Sequence, residues 1–209
     1  MKFVVFVEGE TEKHAVVGFL KRWLDARLSK PVGVVPVFSR GWSDYLDSIQ
    51  EKVRRQLAPR GGVDILAAVG LLDLYGLTIY PSGVETVSER YTWAKRFVEA
   101  KVAHPKFTQH FAVHESEAWL CGDAKVLPER VRKALPKQAT EKPETVNFHE
   151  PPAKLLERLY REKERRRYKK VTDGTNLFLN ASPERVYAVC PYLGKLLDEM
   201  LATGKAAGL

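Results

Sequence analysis

Four short runs of apolar and β-branched residues lack strict alternation, which is typical of parallel strands buried on both faces. They cover residues 3–7, 32–38, 64–75 and 107–113. Three intervening segments repeat apolar side chains at intervals of three and four residues and therefore predict amphipathic helices. They cover residues 11–28, 43–57 and 84–102. This order of elements predicts an α/β fold with a mostly parallel sheet, right-handed crossovers and helices on both faces.

Individual residues indicate where some of these elements begin, end or lie in the sheet. Thr11 is a potential N-cap of the first helix, and Pro59 with the pair Gly61 and Gly62 would close the second. Pro36 cannot donate a ladder hydrogen bond, so the run that contains it is predicted near the edge of the sheet. The long third run is predicted to be the central strand.

The second half of the chain is predicted to be helical and rich in loops, because prolines punctuate it after residue 119. We expect residues 1–122 to form an α/β core and residues 123–209 to form a helical, basic extension packed on it. Within the extension, residues 137–152 are the best candidate for a mobile loop.

The most informative feature of the composition is its charge. The chain carries 34 basic and 26 acidic side chains, a formal net charge of +8, which favours polyanionic partners. Residues 151–209 hold 12 basic and 7 acidic side chains, and seven of the cations lie between residues 161 and 170. Such a run neutralises several phosphates at once, although a solvated helix face would carry the same charge. The candidate nucleic-acid-binding residues are Arg165, Arg166, Arg167, Tyr168, Lys169 and Lys170.

The same composition argues against several classes of protein. No apolar stretch approaches the roughly 18 residues that cross a bilayer. The five apolar residues before Glu8 are too few for a secretory signal, so we expect a cytoplasmic protein without a membrane partner. Cys121 and Cys190 lack metal-ligand spacing and are expected to be buried thiols. Neither a P-loop nor a dinucleotide-binding glycine motif is present, which argues against a nucleotide-binding enzyme.

Acidic residues stand at the end of three of the four apolar runs or just after it. They are Glu8, which precedes Gly9, then Asp73, then Glu115 and Glu117. Because the carboxyl ends of parallel strands share one edge of a sheet, these acids should converge there. Clustered carboxylates repel one another, and Mg2+ or Mn2+, with its preference for oxygen ligands, is the usual compensation. In a basic protein this arrangement predicts metal-assisted attack on a phosphodiester.

Each of these acids has a structural alternative. Glu12 and its neighbour Glu10 complement the dipole of the first helix if they lie in its first turn. Glu115 could pair with His114 as a helix cap. Glu117 must point in a different direction from Glu115 if the strand has already turned into a helix there.

Five motifs in a fixed order resemble one family. They are Val-Glu-Gly-Glu-Thr-Glu at 7–12, Asp-Leu-Tyr-Gly at 73–76, His-Glu-Ser-Glu-Ala-Trp-Leu at 114–120, Tyr-Lys-Lys at 168–170 and Cys-Pro-Tyr at 190–192. Together they resemble the bacterial and archaeal family known as domain of unknown function 4276, or DUF4276, which is related to Toprim domains and OLD-type nucleases. The resemblance covers nearly the whole chain and implies a Toprim-like fold.

The resemblance also implies roles for the acids. In a Toprim-like site the glutamate after the first strand, here Glu8, assists proton transfer, and an Asp-x-Asp after a later strand binds Mg2+. Asp73 matches the first of these aspartates, whereas Tyr75 stands at the second. A tyrosine hydroxyl is a poor Mg2+ ligand at neutral pH, so Glu115 or Glu117 would supply the replacement oxygen. Relatives of Toprim nucleases often act beside an ATPase in defence against foreign DNA, so an ATPase partner is implied.

Two functional hypotheses follow. In the first, the chain is a Mg2+-dependent nuclease-like enzyme acting on DNA or RNA. Glu8 would exchange the proton, Asp73 with Glu115 or Glu117 would hold the metal, and Lys170 would stabilise charge on the phosphate. In the second, the chain is a non-catalytic nucleic-acid-binding or regulatory subunit of a partner ATPase, with a vestigial acidic site. The residues expected near the site are Gly9, Glu12, Tyr75 and His114.

Overall fold

A computed structural model describes residues 1–58, 65–145 and 150–209, and within them the predicted strands form one sheet. The strands are Lys2–Val7 (β1), Gly33–Phe38 (β2), Ile65–Asp73 (β3) and Phe107–Ala112 (β4). They lie in the order β2-β1-β3-β4, and every pairing is parallel. The predicted α/β class is therefore confirmed. β2, which contains Pro36, lies at an edge as predicted, and β3 shares the interior of the sheet with β1.

Three long amphipathic segments form helices between the strands. They are Val17–Asp25 (α1), Gly41–Leu57 (α2) and Val87–Val102 (α3), and a π-helical turn at Glu12–Val16 precedes α1. The prediction that Thr11 caps the first helix is wrong, because its hydroxyl donates instead to the distant carbonyl of Lys170, at 3.1 Å. The predicted closing residues Pro59, Gly61 and Gly62 lie outside the described residues.

The described part of the chain after residue 116 is mainly helical. Its helices are Glu117–Gly122 (α4), Glu129–Ala134 (α5), Lys137–Glu141 (α6), Pro152–Lys163 (α7), Thr175–Asn180 (α8), Pro183–Tyr187 (α9) and Pro191–Ala206 (α10). Shorter turns are 3-10 helical at Ala124–Val126 and Pro143–Thr145 and π-helical at Lys170–Gly174.

The prediction of a mobile loop at 137–152 is wrong over residues 137–145, which form α6 and a 3-10 turn. The turn is tied to α10 by the buried carboxylate of Glu144, which accepts N–H hydrogen bonds from Tyr192 at 2.8 Å and Leu193 at 3.1 Å. These donors have no partner inside α10, so the carboxylate caps the helix. Residues 146–149 lie outside the described part.

Each face of the sheet carries a hydrophobic cluster, because successive strand residues point to opposite faces. One cluster joins β1, β3 and β4 to α2 and α3, with Phe6, Tyr45 and Phe111 among its largest members. The other joins β1 and β3 to α1 and the C-terminal helices. In it the rings of Phe19 and Trp119 stack with centroids 6.2 Å apart. The C-terminal helices thus pack against α1 on one face of the sheet.

Two further expectations concern membranes and thiols. Among the described residues, none of the helices has the length and apolar character needed to cross a membrane. Cys121 and Cys190 are buried free thiols, as predicted. Burial, together with the nearby charge of Glu117, raises the pKa of the Cys121 thiol to about 12, so this thiol stays protonated.

Candidate active site

The carboxyl ends of β1 and β3 bring Glu8 and Asp73 together. The two strands are adjacent in the sheet, with Val7 opposite Leu71. One Glu8 carboxylate oxygen, Oε1, accepts a hydrogen bond from the backbone N–H of Asp73 at 3.1 Å. The side chain of Asp73 is 16% exposed and that of Glu8 is half-buried. The predicted convergence of the first two acids at this edge is therefore present in the structure.

The turn after β4 folds back toward Asp73. It begins at His114, which is buried and has a φ of 63°, in the left-handed region that few non-glycine residues adopt. The His114 carbonyl accepts the backbone N–H of Tyr75 at 3.0 Å and so ties this turn to the end of β3. Ser116 then donates its backbone N–H to Oδ1 of Asp73, also at 3.0 Å. Burial lowers the pKa of His114, so its ring is neutral at pH 7.

Glu115 and Glu117 leave this turn in different directions, as predicted. Glu117 begins α4 and is fully buried, with Oε2 3.2 Å from the ammonium nitrogen of Lys170. Glu115 directs Oε2 to the backbone N–H of Ala153, at 2.9 Å, in the first turn of α7. A carboxylate at that position satisfies a donor that has no partner inside the helix and complements the helix dipole. Glu115 therefore anchors α7 beside the site.

Lys170 brings a cation from the C-terminal region to the acidic edge. Its Nζ lies 3.5 Å from Oδ2 of Asp73 as well as 3.2 Å from Glu117. Its side chain is 39% exposed, so the ammonium bridges one fully buried carboxylate and one nearly buried one while remaining in contact with solvent. The backbone of Lys170 is held by Thr11, whose hydroxyl donates to its carbonyl. The positive charge offsets the repulsion that the sequence predicts between these acids.

Close packing fixes the segment that carries Lys170. A Cβ at Gly174 would lie 3.0 Å from the hydroxyl of Tyr168 and 3.2 Å from Cγ2 of Thr11, closer than most real contacts. Tyr168 is itself only 5% exposed, and its ring packs 5.3 Å from that of Tyr160. The expectation that Tyr168 contacts nucleic acid is thus contradicted, because its ring belongs to the core.

The remaining basic residues divide into two groups. Arg165, Arg167 and Lys169 are exposed on a segment that follows α7 and is not helical, so a solvated helix face does not describe them. Arg166 donates from both terminal nitrogens to Asp173, at 2.8 and 3.0 Å, and its guanidinium lies over the ring of Tyr160. Arg166 therefore holds the Lys170 segment in place.

The predicted metal ligands are only partly assembled. Within residues 1–58, 65–145 and 150–209, no three His, Cys, Asp or Glu side chains are grouped so as to hold a metal ion. Of the two alternatives predicted for the ligand beside Asp73, Glu115 turns toward α7 and away from the site. Asp73 and Glu117 do direct oxygens at a common cation, the Lys170 ammonium. This pair fits Mg2+ in its usual mode, in which one or two carboxylates hold the ion beside water and phosphate oxygens.

Three other residues are expected near the site, namely Gly9, Glu12 and Tyr75. Gly9 accepts the backbone N–H of Lys13 at 3.1 Å and so begins the helical turn after β1. Tyr75 is 40% exposed and is bound to the His114 turn through its backbone. The side chain of Glu12 lies outside the described part of the structure. Gly9 and Tyr75 are thus held at the site's border through backbone hydrogen bonds.

Two contributors were not predicted from the sequence. Ser116 contributes through its backbone N–H. Every residue except proline has this group, so the identity of the residue does not indicate the contact. Thr11 looked like a helix cap, and its partner Lys170 lies 159 residues away. Both contacts can be seen only in the folded structure, because each joins residues that are far apart in the sequence.

Comparison with known proteins places these features in a family. The model of a family described as a domain of unknown function (DUF4276) matches residues 7–201. Three solved structures of the C-terminal region of the OLD protein of Xanthomonas campestris pv. campestris, phased with iodine, mercury and platinum, are distantly similar. Their identities are 16%, 16% and 18%, and their TM-scores are 0.48, 0.45 and 0.46. The matches cover 99% of this chain and 97%, 98% and 95% of those chains, whereas no curated protein matches.

Proposed function

This chain belongs to the DUF4276 family, and we propose that it is a Mg2+-dependent, nuclease-like enzyme that cleaves phosphodiester bonds at the carboxyl edge of its sheet. The supporting observation is that four distant parts of the chain bring Glu8, Asp73, Glu117 and Lys170 into one connected group. Buried carboxylates are costly without a compensating cation, so their grouping calls for an explanation beyond stability.

The chain's own residues have separable roles in this proposal. Glu8 is held by the N–H of Asp73 and is half-buried, so its carboxylate accepts a proton from an attacking water. Lys170 keeps a partly exposed ammonium beside the acids and stabilises the charge that develops on the phosphate. Ser116 fixes one oxygen of Asp73, which leaves the other directed at the cation.

Asp73 and Glu117 would hold the metal ion, which when bound polarises the phosphodiester and favours deprotonation of water. Arg165, Arg167 and Lys169 would hold the nucleic-acid backbone, since their side chains are exposed next to the segment that carries Lys170. A partner ATPase and a role in defence remain part of the proposal through the family resemblance alone.

The test is cleavage of plasmid DNA and of labelled RNA in Mg2+, in Mn2+ and in EDTA. We expect cleavage that requires the metal and is lost in Asp73→Asn, because that change removes one carboxylate charge without altering the size of the side chain. The matched control is Asp47→Asn on the exposed face of α2, which should cleave like the wild type. Full activity of Asp73→Asn would refute the site.

One observation favours the alternative, a non-catalytic nucleic-acid-binding or regulatory subunit. The Lys170 ammonium already offsets part of the negative charge of Asp73 and Glu117, so a bound metal is not the only source of positive charge at the site. In that case nucleic acid should bind equally well in Mg2+ and in EDTA, and no metal should support cleavage. If binding stays independent of metal and cleavage stays absent after a partner ATPase is added, the chain is a binding subunit.

A further inference from the structure

Three aromatic side chains form a connected row on the outer side of α3, and we call Tyr80, Trp93 and Phe97 the aromatic row. The rings of Trp93 and Phe97 stack with centroids 5.0 Å apart and planes 12° apart. Tyr80 meets Trp93 edge-on at 5.8 Å. Phe97 is 40% exposed, and the other two rings are half-buried. Tyr80 and Trp93 also pack against the hydrophobic cluster on this face of the sheet, so Phe97 and the exposed parts of the other two rings are open to a ligand.

The aromatic row begins beside the acidic edge. The hydroxyl of Tyr80 donates to the carbonyl of Leu74 at 3.2 Å, and Leu74 directly follows Asp73. Burial raises the pKa of Tyr80 to about 12, so the hydroxyl keeps the proton that it donates. Because α3 crosses over from β3 to β4, it runs back along the strands away from that edge. The row therefore leads from the proposed catalytic site along the outside of the molecule.

The charge of α3 favours an anionic ligand next to the aromatic row. The helix carries four basic and two acidic side chains. Glu89 accepts the N–H of Thr86 in a capping box, and Glu99 is paired with Lys95 at 2.6 Å, so both acids are occupied. Arg96 is exposed and has no acidic partner among the described residues. The helix therefore carries a net charge of +2.

A shallow groove beside Trp93 offers room for a planar group. It has a volume of about 330 Å3 and is lined by Val84, Ser88, Glu89, Thr92, Trp93 and Arg96. Such a groove admits one nucleobase against the indole ring, with the adjoining phosphate close to the guanidinium. Every base has a π face, so stacking on aromatic rings is tolerant of sequence, and nearby cations hold the backbone.

We propose that the aromatic row binds unpaired nucleotides of the nucleic acid, with bases stacked on Trp93 and Phe97 and phosphates beside Arg96. The inference deepens the proposed function, on which it rests, by naming single-stranded segments as the substrate class. A base-paired duplex keeps its base faces covered and cannot stack on exposed rings. A protein partner is less well matched, because α3 carries more basic than acidic side chains.

The test measures binding through the fluorescence anisotropy of a labelled 20-nucleotide single strand and of the matching 20-base-pair duplex, both in EDTA. We expect Phe97→Ala and Trp93→Ala each to weaken single-strand binding about tenfold while duplex binding changes less than twofold. Trp93→Phe should retain binding because it keeps a stacking ring. The matched control is Leu179→Ala, which truncates another exposed apolar side chain, 54% exposed on α8.

The binding measurements test the inference independently of the cleavage assay. Equal losses for strand and duplex, an unchanged affinity in Phe97→Ala, or no binding by the wild type would overturn the inference, even if plasmid cleavage persists. Sedimentation that shows Phe97→Ala dissociating a wild-type dimer, with unchanged affinity for the single strand, would overturn it in favour of a second copy on this face. Absence of cleavage with the expected binding losses would refute the nuclease and leave the single-strand site standing.

Discussion

Lys170 joins two carboxylates that would otherwise repel each other across the site. Its ammonium lies within 3.5 Å of Asp73 and Glu117, and Glu117 is fully buried. A buried charge that loses its partner is strongly destabilising, although the partial exposure of Lys170 moderates the loss. The stability of this region and the chemistry proposed for it therefore depend on the same side chain.

Lys170→Ala is expected to lower the free energy of unfolding by about 1–3 kcal/mol and to abolish cleavage. Addition of Mg2+ should raise the melting temperature of this variant more than that of the wild type, because the divalent ion replaces the lost charge. Lys169→Ala is the matched control for the loss of stability and for the response to metal, since its side chain is exposed. Calorimetry in Mg2+ and in EDTA measures both effects, and equal metal responses in all three proteins would contradict the prediction.

Glu144 makes a pH-dependent contribution to stability. Burial raises its pKa from 4.5 to about 7, against the opposing effect of the N–H donors of α10. The folded state therefore binds this proton more tightly than the unfolded state. The contribution of Glu144 to stability is greatest below about pH 4.5 and is lost as the pH rises toward 7.

Glu144→Gln is expected to remove this dependence, because the amide does not ionise. Relative to the wild type, the variant should gain up to about 3 kcal/mol of unfolding free energy between pH 4.5 and pH 8. Urea denaturation of both proteins across this range measures the difference. A constant difference at every pH would show that Glu144 ionises normally.

At the scale of elements, the segment after α7 has one part held by an ion pair and one exposed part to which we assign phosphate contacts. Arg166 and Asp173 form a two-bond ion pair that shapes the segment, while Arg165 and Arg167 remain exposed. A triple alanine substitution would therefore mix a loss of phosphate contacts with a loss of loop structure. Replacing only the two exposed arginines separates the effects.

The double variant Arg165→Ala and Arg167→Ala is expected to weaken duplex DNA binding and to reduce the slope of log affinity against log salt by about 1–2, at about 0.9 for each lost phosphate contact. Its melting temperature should match that of the wild type. The control Arg130→Ala and Arg132→Ala makes the same charge change on the exposed side of α5. Equal slopes for both double variants would mean that the basic segment does not contact DNA.

On the scale of the whole molecule, the C-terminal helices share one hydrophobic cluster with α1 and the sheet. Phe19 and Trp119 stack in it, and Phe178 contacts both rings edge-on. An independently folding extension would need its own core. We therefore expect the two parts that the sequence divides at residue 122 to unfold together.

Tryptophan fluorescence and far-ultraviolet circular dichroism should report one coincident transition in urea. A fragment ending at residue 122 should not fold, because it would expose the face of α1 that the C-terminal helices cover. Two separate transitions, or a cooperatively folded fragment, would instead establish two units.

The strands, the long helices and the parallel sheet could be predicted from the sequence, because apolar periodicity reflects local geometry and burial directly. The sequence also placed Glu8 and Asp73 at one edge, since the carboxyl ends of parallel strands coincide. The tertiary structure alone decided that Glu115 anchors α7, that Tyr168 is buried and that Lys170 bridges Asp73 and Glu117. These outcomes depend on contacts between residues tens of positions apart, which local sequence patterns do not encode.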